Sequence, residues 1–553
     1  MKKQIRSCAC IFLVLLLTVL STAAGWADSC QDWTATNDQH VSAGRAYTQT
    51  SSGCDTVITY YAVGSNENLG TSGSTSTTLF SEDNGATYHK GSCPSSGTDC
   101  QEYTTTNDQH VSAARAYTES GSSGCDTAAT TYYAVGSNEN LGTSGSATTT
   151  LKTEDGGQSY RQGSCAGTTP EPTSGLYVAP DGNDNNPGTI SAPFKSITKA
   201  QSVASSGTTV YLRGGTYSGF TIAGSDSNYN FVHNITKSGI TYAAYPGETP
   251  VFNFSGTTTA KRVAAFHVAS GVSVTFIGFH VTGVPVGSNK QSECFRIEGN
   301  ATFERMTCRD NQANGFYFTT NASGSCTNCD AYNNVGTGES ASNTDGFGAH
   351  CKGSVTFRYC RAWNCSDDGF DCIATYAPVT FDHCWVYNIN NSAGDGNGFK
   401  VGGWGSATPP SSVPSHIVRY CLAANIKNSG FYANHHPGKA ADWTYNSAYN
   451  CGSDFNMLER VSTTNATDIP GTREVLHFNV AYAGTIISNS NLPAANVTNN
   501  SWTKSGVSVS AADFQSTDAS QITRPRNADG SLPAITFMKL VNGSDLAGMG
   551  YSQ

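Results

Sequence analysis

Five short segments of one form decide how this chain folds: CDAYN at 329–333, CRAWN at 360–364, CWVYN at 384–388, CLAAN at 421–425 and NSAYN at 446–450. Their starts lie 31, 24, 37 and 25 residues apart. The shortest spacings fit one bare coil of chain, and the longer ones a coil with a loop bulging from it. Parallel strands stack about 4.8 Å apart, so equivalent positions on successive coils form columns. Cys329, Cys360, Cys384 and Cys421 then make an inward column of small hydrophobes, with free rather than bridged thiols. Asn333, Asn364, Asn388, Asn425 and Asn450 make a column at a bend, where each amide donates and accepts along the stack. Those asparagines read as structural.

Towards the N-terminus, the large domain opens at Gly175. Phe194 to Ala204 reads as an amphipathic helix with Phe194, Ile197, Ala200 and Val203 on one face. Short β-rich runs follow: TTVYLRGGTYS, GITYAAY and VSVTFIGFHVTG. A cap helix followed by many short strands resembles the entry of right-handed parallel β-helix carbohydrate-active enzymes. The expected fold is therefore all-β, a right-handed parallel β-helix over residues 175–553 with an N-terminal cap helix. After about Arg460 the pattern weakens, and the tail is expected to cover the last coil.

Ahead of that domain, Cys30 to Cys54 recurs as Cys100 to Cys125, and YYAVGSNENLGTSGS stands at both 60–74 and 132–146. Two small duplicated modules are expected, at 28–93 and 100–165, joined to the large domain by a Pro/Thr linker at 166–174. Their tyrosine pairs (Tyr60 and Tyr61; Tyr132 and Tyr133) either pack each module's small core or present a face for sugars. Residues 1–27 read as a signal peptide, with Lys2, Lys3 and Arg6 before an apolar run from Ile11 to Leu20. Its removal takes away three basic and no acidic residues, shifting the formal charge from −10 to −13. So acidic a chain argues against nucleic acid and anionic membranes. A secreted, extracellular monomer is expected. Of 19 cysteines, Cys8 and Cys10 fall in the signal, and the odd remainder leaves at least one without an internal partner.

The stretch from Asn343 to Gly403 carries the chemistry. Asp345 opens DGF, Asp367 and Asp368 open DDGFD with Asp371 at its end, and Lys400 closes GDGNGFK. Counted from the asparagine column, they fall on three successive coils of one face. One Asp-Gly pair is ordinary turn chemistry. Four stacked aspartates repel unless a counter-ion neutralises them, and the hard, oxygen-preferring ion outside cells is calcium. Asp345, Asp367, Asp368 and Asp371 are the expected ligands of Ca2+, and Lys400, one coil away, the expected base. His435 and His436 lack an obvious third ligand for a metal. Arg358 and Arg361 lie on the site's coils and could grip substrate carboxylates. Asp395 reads as a turn residue.

DGF at 345–347, SDDGFD at 366–371, CWVYN and GDGNGFKVGG at 394–403 resemble the polysaccharide lyases of family 9, the pectate-lyase-like β-helix enzymes, over roughly 175–550. The resemblance implies calcium-dependent β-elimination on an anionic polysaccharide, pectate or polygalacturonate, with the same four aspartates on the metal and Lys400 as the Brønsted base. Two positions depart from the family pattern: His350 stands where a lysine is expected, and Phe370 where tryptophan is usual. The rivals are a β-helix galacturonan hydrolase of glycoside hydrolase family 28 and a non-catalytic β-helix adhesin. The hydrolase shares Asn343-Thr344-Asp345 and Asp367-Asp368 but needs Gly-His-Gly and Arg-Ile-Lys motifs, which are absent. The adhesin leaves Lys400 without a task.

Overall fold

The computed structural model describes residues 31–552 apart from 53–55, 64–67, 82–87, 91–100, 114, 121–129, 136–139, 154–159, 163–171, 173, 258–259, 288–290, 391–393, 406 and 440. The expected signal peptide and the six module cysteines lie outside the described residues. The chain divides into two compact units, residues 1–170 and 171–553.

The second unit is a right-handed parallel β-helix. Three long sheets of twelve, ten and eleven strands run its length, and each coil contributes one short strand to each sheet. Its core is built of columns. In the eleven-stranded sheet, Phe266, Phe295, Phe316, Phe347, Phe370, Phe399, Phe431 and Phe455 stack ring on ring, with neighbouring centroids 4.8 to 5.4 Å apart. His233 begins this stack and Trp502 ends it. Phe370 lies nearly parallel to Phe347 and Phe399, at 8° and 3°. A six-membered ring continues the repeat there, which accounts for its place in the column.

The cysteine column is buried and its thiols are free, as are all eleven cysteines from Cys294 to Cys451. The asparagine column sits in left-handed turns, with φ from 52° to 55°, a conformation asparagine tolerates better than other side chains. Asn364 Nδ2 donates to Asn333 Oδ1 at 2.9 Å, Asn388 to Asn364 at 2.6 Å and Asn450 to Asn425 at 2.9 Å.

Two expectations need correction. The cap helix spans Ile197–Val203 with Ser196 as N-cap, and Phe194, Ile197 and Ala200 are buried, but Val203 is 52% exposed. Positions 194, 197, 200 and 203 follow a period of three, which drifts off a 3.6-residue face. Gln201 and Ala204 take the inner positions instead. The tail does more than close the last coil. Phe514, Ile522, Phe537 and Leu546 pack along the ten-stranded sheet against Trp385, Leu422 and Val480.

In the first unit the two copies repeat the same local structure. Helices Asn37–Ser42 and Asn107–Ser112 each start with a Thr/Gln capping box. Tyr60 and Tyr132 donate to Asp38 and Asp108 at 2.6 Å and pack on the small cores. Tyr61 and Tyr133 instead stack on Tyr47 and Tyr117, 5.6 Å apart. Among the described residues, no helix is long and apolar enough to cross a membrane.

Candidate active site

Each phenylalanine at the centre of the ring stack follows a glycine and a small polar residue: NGF at 314–316, DGF at 345–347, DGF at 368–370, NGF at 397–399 and SGF at 429–431. The glycines are forced by crowding between coils. A Cβ at Gly315 would lie 2.4 Å from the Gly346 carbonyl oxygen, and one at Gly398 2.5 Å from that of Gly430. In the first four triplets the polar residue ahead of the glycine accepts from the next coil's backbone. Asn314 Oδ1 takes the Asp345 N–H at 2.6 Å, Asp345 Oδ1 that of Asp368 at 3.1 Å, and Asp368 Oδ1 that of Asn397 at 2.8 Å. Asp345 and Asp368 are thus held at the same point of adjacent coils, both buried.

Beyond the glycine-phenylalanine pair, the strands Phe347–Cys351, Phe370–Cys372, Phe399–Val401 and Ser429–Tyr432 lie side by side. Their register aligns Gly348, Asp371, Lys400 and Tyr432 in one outward column. The Lys400 Nζ stands 3.0 Å from Asp368 Oδ2, 3.7 Å from Asp371 Oδ2 and 3.2 Å from Asp395 Oδ2. The structure therefore brings Lys400 onto the aspartates.

The four expected metal ligands do not form one set. Ligand oxygens of Asp345, Asp368 and Asp371 lie within 4.8 Å of one another, and Asp367 groups instead with Asp368 and Asp395. The backbone N–H of Asp395 donates to Asp367 Oδ1 at 2.6 Å. Asp395, read above as a turn residue, is thus part of the site. Arg358 and Arg361 are not. Arg358 pairs with Asp382 at 3.1 Å. Arg361 is buried, pairing with Asp330 at 2.7 Å and donating to the carbonyls of Ile522 and Arg524 in the tail. His435 pairs with Asp468 at 2.7 Å, and buried His436 accepts from the Gly403 N–H at 3.2 Å. Asn314 and Asn397 escaped the sequence reading, although the repeated residue-Gly-Phe triplet marks both.

The site is short of positive charge. Burial raises the Asp345 carboxyl well above its ordinary value, and Asp367, Asp371 and Asp368 add to the rise. Burial likewise lifts Asp367 to about 8 and Asp368 to about 6, Lys400 offsetting part of each. At Asp371 burial acts upwards too, but Lys400 and His350 outweigh it and hold the group low. For Lys400 burial pulls downwards, and the surrounding carboxylates overcome it to keep the ammonium charged. Oδ1 of Asp371 is buried and accepts no hydrogen bond. An all-oxygen set with a spare buried acceptor suits a hard divalent cation.

The family model described as Pel9A-like, right-handed β-helix region matches residues 176–517. Pectate lyase L of Dickeya dadantii is 30% identical over 391 residues, covering 68% of this chain and 85% of that protein. Pectate lyase PEL9 of Emericella nidulans is 29% identical over 417 residues, covering 67% and 93%. Among solved structures, a rhamnogalacturonan lyase superposes with a TM-score of 0.64 at 34% identity, covering 68% of this chain and 99% of that one. Pectate lyase Pel9A superposes at 0.55 and 29% identity, covering 68% and 92%. The chain belongs to the Pel9A-like right-handed β-helix family and is a polysaccharide lyase of the pectate lyase type.

Proposed function

We propose that this chain is a secreted, calcium-dependent lyase that cleaves a 4-linked uronan, pectate or polygalacturonate, by β-elimination. Lys400 is the base, and calcium would be held through two adjoining oxygen clusters that share Asp368: Asp345, Asp368 and Asp371 in one, Asp367, Asp368 and Asp395 in the other. The carrying observation is one half-buried lysine set among stacked, buried carboxylates on an outward sheet face. When bound, calcium supplies electrostatic stabilisation for the charge that builds on the sugar's carboxylate as the proton leaves.

The residues divide the remaining work. The hydrogen bonds between coils fix Asp345 and Asp368 in place, so the site costs little to organise on binding. Lys400 is an ammonium while the aspartates have no other cation, and it becomes a base once their charge is neutralised. Its Nζ takes the C5 proton, the C–H electrons form the C4=C5 bond, and the C4–O4 bond breaks with the oxygen leaving on the neighbouring sugar. The signal-like sequence of residues 1–27 supports export, and the duplicated modules are read as attachment elements.

A second reading of the substrate has its own support, because the rhamnogalacturonan lyase structure matches more closely than the pectate lyase Pel9A structure, in both TM-score and identity. One assay tests both. Ultraviolet absorbance is followed on polygalacturonate and on rhamnogalacturonan at about pH 8.5 to 9, chosen to help deprotonate a lysine base, with calcium or with chelator. A rise that chelator abolishes supports calcium-dependent elimination, and the faster polymer names the repeat unit. Reducing ends without new absorbance, or no product from either polymer, overturns the proposal.

A further inference from the structure

One more side chain reaches the site, from the coil before Asp371. His350 Nε2 is buried and lies 3.2 Å from Asp371 Oδ2, within ion-pair distance though outside hydrogen-bond geometry, and its Nδ1 lies 3.3 Å from the hydroxyl of Tyr317 on the preceding coil. The two rings are 5.0 Å apart. Gly348 makes this approach possible: a Cβ there would lie 2.8 Å from Tyr317 Cδ2. Burial keeps the Tyr317 phenol protonated. A bare imidazole nitrogen facing a carboxylate oxygen at 3.2 Å would set lone pair against lone pair. The favoured tautomer therefore carries its hydrogen on Nε2 and leaves Nδ1 to accept the Tyr317 O–H.

We propose that His350 is a positioning residue for the cation site: backed by Tyr317, it holds Oδ2 of Asp371 and leaves Oδ1 turned free for the metal. This rests on the calcium reading above. Groups behind a metal ligand fix its orientation and tune its affinity. The lysine expected here from the family pattern would set a second ammonium beside Asp371, next to that of Lys400, in competition with the cation.

The test is a calorimetric titration of the full-length protein with calcium alone, without substrate, paired with thermal unfolding in chelator. His350→Ala is expected to weaken calcium binding about 10- to 100-fold, with little change in chelator Tm. His350→Gln, which keeps an N–H donor, recovers part of the loss. Tyr317→Phe, which keeps the ring volume and loses only the hydroxyl, falls between wild type and His350→Ala. His350→Lys binds calcium no better than His350→Ala. If His350→Ala and Tyr317→Phe both bind within twofold of wild type, the positioning role is overturned, whatever happens to Tm. If the wild type binds no calcium, the calcium reading falls first and this inference with it, a result distinguishable from the first.

Discussion

Two columns of small polar residues climb the same coils and do opposite things. In the turn column, Asn364 links its neighbours amide to amide, its nitrogen donating to Asn333 and its oxygen accepting from Asn388. In the column ahead of the glycine-phenylalanine pairs, one oxygen of Asn314, Asp345, Asp368 and Asn397 likewise accepts from the next coil. At Asp345 and Asp368 the second atom is a carboxylate oxygen, which cannot donate. Repetition alone makes structure. An oxygen in place of an NH2 on two adjacent coils turns the same geometry into a site that demands a cation.

The largest effect is expected at the residue that answers that demand. Lys400→Ala should lower kcat by about 10²- to 10⁴-fold, the usual contribution of a general base, while calorimetric calcium binding survives. Wild-type turnover in this variant would remove Lys400 from the chemistry. The sharper test of the comparison is Asp368→Asn, which gives the acidic column an amide. Its Oδ1 still accepts from the Asn397 N–H, so the fold should persist with chelator Tm unchanged or raised, because buried like charges are relieved. Calcium binding and activity should be lost together. Retained calcium affinity would break the comparison.

How much of this was legible follows from periodicity. Cys329 to Cys421 and Asn333 to Asn450 return once per coil, so the columns can be read from spacing, as can the coils carrying Asp345, Asp367, Asp368, Asp371 and Lys400. Asn314 and Asn397 carry the same signal in a triplet whose first residue varies, so no single residue type marks that column. Asp395 lies in an aperiodic loop, so only the folded chain brings it to Lys400. His350 reaches Asp371 by direction rather than by spacing. Arg361 meets carbonyls 161 residues away in sequence, and no local pattern encodes that contact. At the cap helix a three-residue period imitates amphipathicity over two turns, and the true face departs from it at Val203.

The end of the glycine column offers a third test. Asp454 stands where the preceding coils carry glycine, ahead of Phe455, and burial raises its carboxyl to about 7. A folded-state value above that of the unfolded chain means stability that is full below about pH 4 and is lost as the pH rises through 7. Chemical denaturation between pH 4 and 8 should show Asp454 contributing about 2 to 4 kcal/mol to that decline. Asp454→Asn, which keeps the acceptor for the Cys451 N–H, should flatten it by that amount. An unchanged slope would assign the decline to other buried acids, such as Glu474, which burial raises to about 8.

The smallest effect is expected in the turn column, where the comparison requires stability and catalysis to part. Asn364 donates to Asn333 and accepts from Asn388, from a left-handed turn with φ of 53°. Asn364→Ala strands an amide on each side and places a Cβ-bearing residue without a local hydrogen bond in that turn. A loss of about 1 to 3 kcal/mol is expected in denaturant unfolding, with kcat and calcium affinity at wild-type values. Asn364→Gly separates the two causes, since glycine tolerates the turn but restores no hydrogen bond. If it recovers most of the loss, the column is kept for its backbone angles. If it recovers little, the amide ladder itself carries the stability. A fall in calcium affinity in either variant would mean that the two columns are coupled through the coil, and the division between structural amide and functional carboxylate would fail.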